Sequence, residues 1–98
     1  PPVAVPLRVT VPPGSSGVVH VAHSANAWTH VPLPWKDGVA TGTAVVPRGQ
    51  WFDYKYTRGD WSTVEKWPGC QEATNRYAFG AAHPGKVDTV FVWADGCP

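Results

Sequence analysis

Eleven prolines and ten glycines punctuate the 98-residue chain, and no stretch between them is unbroken enough for a helix of normal length. What survives between the breaks is short and alternates. Val3 to Val11 sets Val5, Leu7, Val9 and Val11 on one side with a period of two, the pattern of a half-buried strand. Pro12-Pro13-Gly14-Ser15-Ser16-Gly17 ends it. Val18 to His23 reads as a second strand, with Val18, His20 and Ala22 opposing Val19, Val21 and His23. Trp28 to Trp35 is a third candidate that Pro32 and Pro34 confine to an edge or a bend. Lys36-Asp37-Gly38 is a turn into a strand over Val39 to Val46, and Pro47-Arg48-Gly49 is the next turn. Gln50 to Thr57 alternates most strongly, with Phe52, Tyr54 and Tyr56 against Trp51, Asp53 and Lys55. Arg58-Gly59-Asp60 is expected to close a hairpin into Trp61 to Trp67, and strands over Asn75 to Phe79 and Lys86 to Trp93 complete the set. Short strands at steady spacing predict a small antiparallel β-sandwich, immunoglobulin-like, with about seven or eight strands.

The length fits one domain over residues 1–98. The abrupt start at Pro1-Pro2 is expected of a piece cut from a larger protein. Eight Lys and Arg against seven Asp and Glu, with no basic run, leave no electrostatic footprint for nucleic acid. No apolar stretch approaches the length of a membrane span, so no membrane partner is expected. Cys70 and Cys97 allow one internal pairing, and each lies among glycine and proline in loop-like sequence. A disulfide is expected there in preference to two buried thiols, and with it an oxidising, extracellular setting.

Six tryptophans, with no methionine, are more indole than a core this small can hide. A domain of this size buries only about 60–65% of the surface its unfolded chain exposes. Some rings therefore stay at the surface, where a flat apolar face beside polar groups suits the faces of sugar rings. In the expected hairpin, Trp51, Asp53 and Lys55 face outward, and Trp61, Thr63, Glu65 and Trp67 share one face of the returning strand. Indoles beside an ammonium and carboxylates form such a sugar site; the same pattern equally fits a cross-strand aromatic ladder that only stabilises the sheet.

Catalytic and metal chemistry find little purchase. His20 and His23 fall on opposite faces of one strand, while His30 and His83 lie in other segments, so no metal site is expected. No serine sits in a nucleophile elbow. Asp53 and Glu65 across the hairpin are the one carboxylate pair to weigh for glycoside hydrolysis. A domain with no deep cleft to exclude water does not raise the pKa of one of them, so no enzymatic activity is expected.

The run Phe52-Asp53-Tyr54-Lys55-Tyr56, a turn, Val64-Glu65-Lys66-Trp67 and then Asn75-Arg76 resembles the signature of starch-binding, family-20-type carbohydrate-binding modules. Their segment reads F-E-Y-K-F/Y, a turn, V-x-W-E and P-N-R. Ala25-Asn26-Ala27-Trp28 followed by Val31-Pro32-Leu33 resembles their L-G-x-W segment and the apolar strand after it. Secreted bacterial domains with an R-G-x-W-x-x-V-E-K segment, often appended to hydrolases, look closer still over that stretch. The resemblance spans about Val9 to Trp93. It implies that Trp28 is one ring of a stacking platform, with Lys55 and Asn75 binding hydroxyls beside it. Trp67 is the expected second ring and Trp61 the next choice, because Pro68-Gly69-Cys70-Gln71-Glu72 stands between Trp67 and Asn75 where the family has no insertion. Glu65 is a further candidate hydroxyl ligand. Arg76 is expected to brace the site or pack over a ring.

Together these readings imply a secreted, non-catalytic carbohydrate-binding domain that tethers an attached catalytic domain to an α-glucan, without a cofactor. The alternatives are a structural sandwich spacer packed against that catalytic domain, or a module for another polysaccharide.

Overall fold

A computed structural model describes residues 1–98 and is all-β. The eleven strands are β1 (Pro2–Thr10), β2 (Val19–His23), β3 (Val31–Leu33), β4 (Trp35–Lys36), β5 (Val39–Pro47), β6 (Trp51–Thr57), β7 (Glu65–Trp67), β8 (Gln71–Glu72), β9 (Arg76–Phe79), β10 (Lys86–Thr89) and β11 (Val92–Trp93). One four-stranded sheet runs β10-β1-β5-β4 and another β3-β2-β6-β9, and a small third sheet is ordered β11-β7-β8. Short 3-10 turns are the only helical pieces.

The alternation read from the sequence sets the core. Val3, Val5, Leu7 and Val9 turn inward from β1, Ala40, Ala44 and Val46 from β5, and Val19, Val21 and Leu33 from β2 and β3. Phe52, Tyr54 and Tyr56 meet them from β6, with Phe52 tilted on Tyr54 at 5.7 Å and Tyr54 edge-on to Tyr56 at 5.6 Å. β1 and β5 pair along nine residues, from Pro2↔Pro47 to Thr10↔Val39. The register of β4 on β5 is fixed by the two-residue Asp37-Gly38 loop, whose φ values of 54° and 79° are both positive. That is the mirror-image turn whose twist matches a hairpin.

Three features depart from the sequence-based expectation. There are eleven strands where seven or eight were expected, because the Trp28–Trp35 run breaks at Pro34, the Lys86–Trp93 run breaks at Val90-Phe91, and Gln71–Glu72 adds a short strand in the cysteine loop. β10 lies parallel to β1, with Leu7↔Lys86 through Thr10↔Thr89. Side-chain alternation looks the same in either direction, so the sequence pattern carried no sign of it. Finally, β6 forms no hairpin with the 61–67 segment: its neighbours are β2 and β9, while β7 pairs with β11 and β8.

The disulfide joins Cys70 to Cys97 across 27 positions. Closing a loop of that length contributes roughly 3–4 kcal/mol in the chain-entropy model. It secures the third sheet, whose strands of two or three residues bury little by themselves.

His23 is 3% exposed, its ring edge-on to Phe52 at 5.8 Å, and Nδ1 has no protein partner. Burial lowers its pKa from 6.5. The unfolded chain therefore takes up this proton more readily, and stability is full above about pH 6.5 and is lost as pH falls below it. Urea unfolding at pH 7.5 and 5.5 is expected to show lower stability at the acid value, and His23→Gln is expected to shrink the difference. Equal midpoints for wild type at both pH values would contradict this.

Candidate functional site

The outer face of the β3-β2-β6-β9 sheet carries several of the aromatic side chains that the core does not use. Along β6 that face presents Trp51, Asp53, Lys55 and Thr57, the alternates of the buried Phe52, Tyr54 and Tyr56. Two loops fold over the Thr57 end. His30 is hydrogen-bonded through Nδ1 to Thr57 Oγ1 at 2.8 Å. Trp61 meets His30 edge-on at 4.7 Å, and Trp28 lies 6.1 Å from Trp61 at 56°. Trp28 is half-buried and Trp61 is 47% exposed.

Local chemistry holds both indoles. Ala27 and Trp28 are successive non-glycine residues at φ 57° and 61°, a left-handed backbone that costs on the order of 1 kcal/mol or more for each. The turn is held by Trp28 N–H donating to the His23 carbonyl at 2.9 Å and by Asn26, whose side chain accepts from Thr29 N–H at 3.1 Å and donates to the Thr29 carbonyl at 3.2 Å. Trp61 opens a 3-10 turn capped by Asp60, which accepts from Ser62 N–H at 2.9 Å. The Ser62 hydrogen bonds hold the Asp60 carboxyl below its ordinary range. Thr63 Oγ1 closes the turn, donating to the Asp60 carbonyl and accepting from Arg58 N–H.

Lys55 is half-buried on the same face, opposite Ala22 of β2, and takes part in none of the four ion pairs. Nearby, the hydrogen bond and charge of Lys66 hold Glu72 below the usual carboxylate range, with Lys55 adding a smaller pull. Asn75 is exposed just before β9 and shares a shallow depression with Trp67, Tyr77 and Lys86.

Two of the sequence-based candidates stand elsewhere. Glu65 is 1% exposed and so is no surface ligand. Its Oε2 accepts the Tyr56 N–H at 3.0 Å, two residues past the last β6–β9 pair, and so extends the sheet's hydrogen bonding with a side chain. Its carboxylate is also gripped by Arg76, through Nε at 3.0 Å and Nη2 at 2.7 Å. The exposed Asp53 therefore has no accessible acid partner in Glu65. Trp67 is half-buried, with the Arg76 guanidinium 5.1 Å from its ring centre, so that cation covers it as expected of Arg76. Trp28 finds its aromatic partner in Trp61 instead.

Arg76 is the hub of an interior network. Besides Glu65 it pairs with Asp88 at 3.4 Å and donates to the Thr89 carbonyl at 2.7 Å. Asp88 accepts the hydroxyls of Tyr54 and Tyr56 at 2.6 and 2.8 Å. Burial, with Asp88 as neighbour and acceptor, pushes both phenols above their ordinary range. Burial pulls Arg76 down, but the Glu65 hydrogen bonds and the charges of Glu65 and Asp88 outweigh it, and its net shift is upward.

Of the other indoles, Trp93 is buried and donates to Ser15 Oγ at 3.0 Å. Trp35 is partly exposed at the turn into β5 and donates to the Gly17 carbonyl at 3.2 Å. Sequence reasoning missed the exposed Tyr77 and Phe79 and the role of His30 in supporting Trp61. The spacing of Tyr77 and Phe79 marks a common strand face, but only the β6–β9 register sets them beside Trp51 and Asp53.

No protein-family model matches the chain. It is 32% identical over 100 residues to a segment of an alpha-amylase from Niallia circulans, a match that takes in 94% of this chain and 8% of that protein. Among solved structures it is similar to a glycoside hydrolase family 15 glucoamylase from Hypocrea jecorina, with a TM-score of 0.59 at 23% identity, over 94% of this chain and 17% of that one. The chain thus spans less than a fifth of either protein, and the structural likeness is one of fold.

Proposed function

We propose that this chain is a non-catalytic, starch-binding domain of a larger secreted amylolytic enzyme, of the family-20 type, which holds its attached catalytic domain at an α-glucan. The observation that carries the reading is the Trp28–Trp61 pair, two accessible indoles set by a strained turn and a capped turn above one sheet face. Backbone strain kept for a surface ring fits a binding role better than a packing one. The 56° between the rings also suits a coiled chain, whose successive sugar faces are angled, over a flat ribbon of β-linked sugars. Lys55, on that sheet face, and the exposed Asn75, which shares a shallow depression with Trp67, are the groups that would hydrogen-bond sugar hydroxyls. The likeness to small segments of an alpha-amylase and a glucoamylase favours an accessory domain. The disulfide fits an extracellular setting.

Stacking with a few exposed hydrogen bonds gives affinity in the micromolar-to-millimolar range, and the tether works by raising local substrate concentration. The purified domain is expected to be retained on insoluble starch and to show a saturable change in tryptophan fluorescence with maltoheptaose. Fluorescence unaltered by maltooligosaccharides, with no retention on starch, rejects the reading.

A further inference from the structure

The Trp28–Trp61 pair leaves a second aromatic cluster at the far end of the same strand face unexplained. Trp51, Tyr77 and Phe79 are 67%, 65% and 45% exposed. Trp51 lies 5.9 Å from Tyr77 at 58° and 5.3 Å from Phe79 at 66°. We propose that these three rings form a second stacking zone, which binds further sugar units of the same α-glucan chain that Trp28 and Trp61 hold. The inference rests on the carbohydrate-binding reading and extends it from one pair of rings to a track along β6.

Three observations support it. The first is exposure: a cross-strand pair that served only the sheet would turn its rings onto neighbours, yet Trp51 and Tyr77 are among the most exposed large side chains in the molecule. The second is what lies between the clusters. Trp51↔Phe79 is followed by Asp53↔Tyr77 and then by Lys55, so ionisable groups occupy the middle of the strip. The centre of a protein-docking surface is depleted of charge, whereas hydroxyl recognition needs such groups beside rings. The third is geometry. Trp51 and Thr57 stand at opposite ends of the seven-residue β6, about 20 Å apart at the usual strand rise, a span that takes several sugar units. A groove of about 410 Å³ opens beside Trp51, lined also by Tyr77, Phe79, His83 and Lys86. The 58° tilt of Trp51 on Tyr77 is close to the 56° of Trp28 on Trp61, as expected if both zones meet the same coiled polymer.

Two-dimensional NMR of the indole N–H signals, titrated with maltoheptaose, tests this directly. Trp51, assigned from its absence in Trp51→Ala, is expected to move together with Trp28 and Trp61. The same variant is expected to raise the Kd for maltoheptaose about tenfold, the effect of losing one good stack. If Trp28 and Trp61 respond while the Trp51 signal stays fixed and Trp51→Ala binds like wild type, the second zone is refuted and the first stands. If no indole responds and no starch is retained, both readings fall.

Discussion

Trp28→Gly is expected to abolish retention on insoluble starch while leaving the fold as stable as wild type or more so. The two effects have opposite signs because the residue carries two separate terms. Its ring is one half of the tilted pair with Trp61, and loss of such an anchor costs about 2 kcal/mol or more, roughly thirtyfold in Kd. Its backbone, at φ 61°, is strained for any residue with a side chain and relaxed for glycine. Trp61→Ala is expected to match the binding loss without the gain in stability, since its turn is held by Asp60 and Thr63 and not by the ring. Starch pull-down, maltoheptaose calorimetry and thermal unfolding of the three proteins together decide the matter. Undiminished binding by either variant counts against the pair as the platform. A fall in melting temperature for Trp28→Gly would instead make the indole a packing element.

The largest loss of stability is expected at Glu65. Glu65→Gln keeps the shape and the acceptor for Tyr56 N–H but removes the charge opposite Arg76, whose side chain is 14% exposed. Breaking a buried ion pair from one side costs about 3–5 kcal/mol, because the partner is left charged out of water. In a domain of this size that lowers the melting temperature by more than about 10 °C. Part of the loss is expected to return in a Glu65→Gln, Arg76→Met double variant, since removing the guanidinium leaves no cation without its partner while Gln keeps the acceptor for Tyr56 N–H. Denaturant unfolding of the single and double variants measures the coupling. A single variant within about 1 kcal/mol of wild type would show that Asp88 alone suffices for Arg76.

The strand faces of β1 and β6 were legible because burial on one side forces a period of two: both turn inward the valines, leucine and rings that alternation marked. The disulfide followed from there being two cysteines, both in loops. Partner choice was not legible. Between Thr57 and Glu65, Arg58-Gly59-Asp60 looked like a hairpin turn, yet the returning segment leaves the sheet and the Glu65 carboxylate reaches back to Tyr56. For the same reason a residue with the spacing of a surface ligand proved to be an interior one. Trp28, Trp61, Lys55 and Asn75 do lie at the surface or partly so. Which indole stands beside Trp28 depended on loop conformation, which alternation does not encode. The pairing of Trp51 with Tyr77 and Phe79 waited on the β6–β9 register.

The parallel contact between the first long strand and one near the end of the chain bears on how the molecule is made. While the polypeptide emerges from the ribosome, one margin of β1 can find β5 once residue 47 is free, but the other stays bare until Lys86–Thr89 arrives. A nascent chain stalled or cut short of that point presents an unsatisfied row of backbone groups to its neighbours. The sheet is therefore incomplete until those residues are in place.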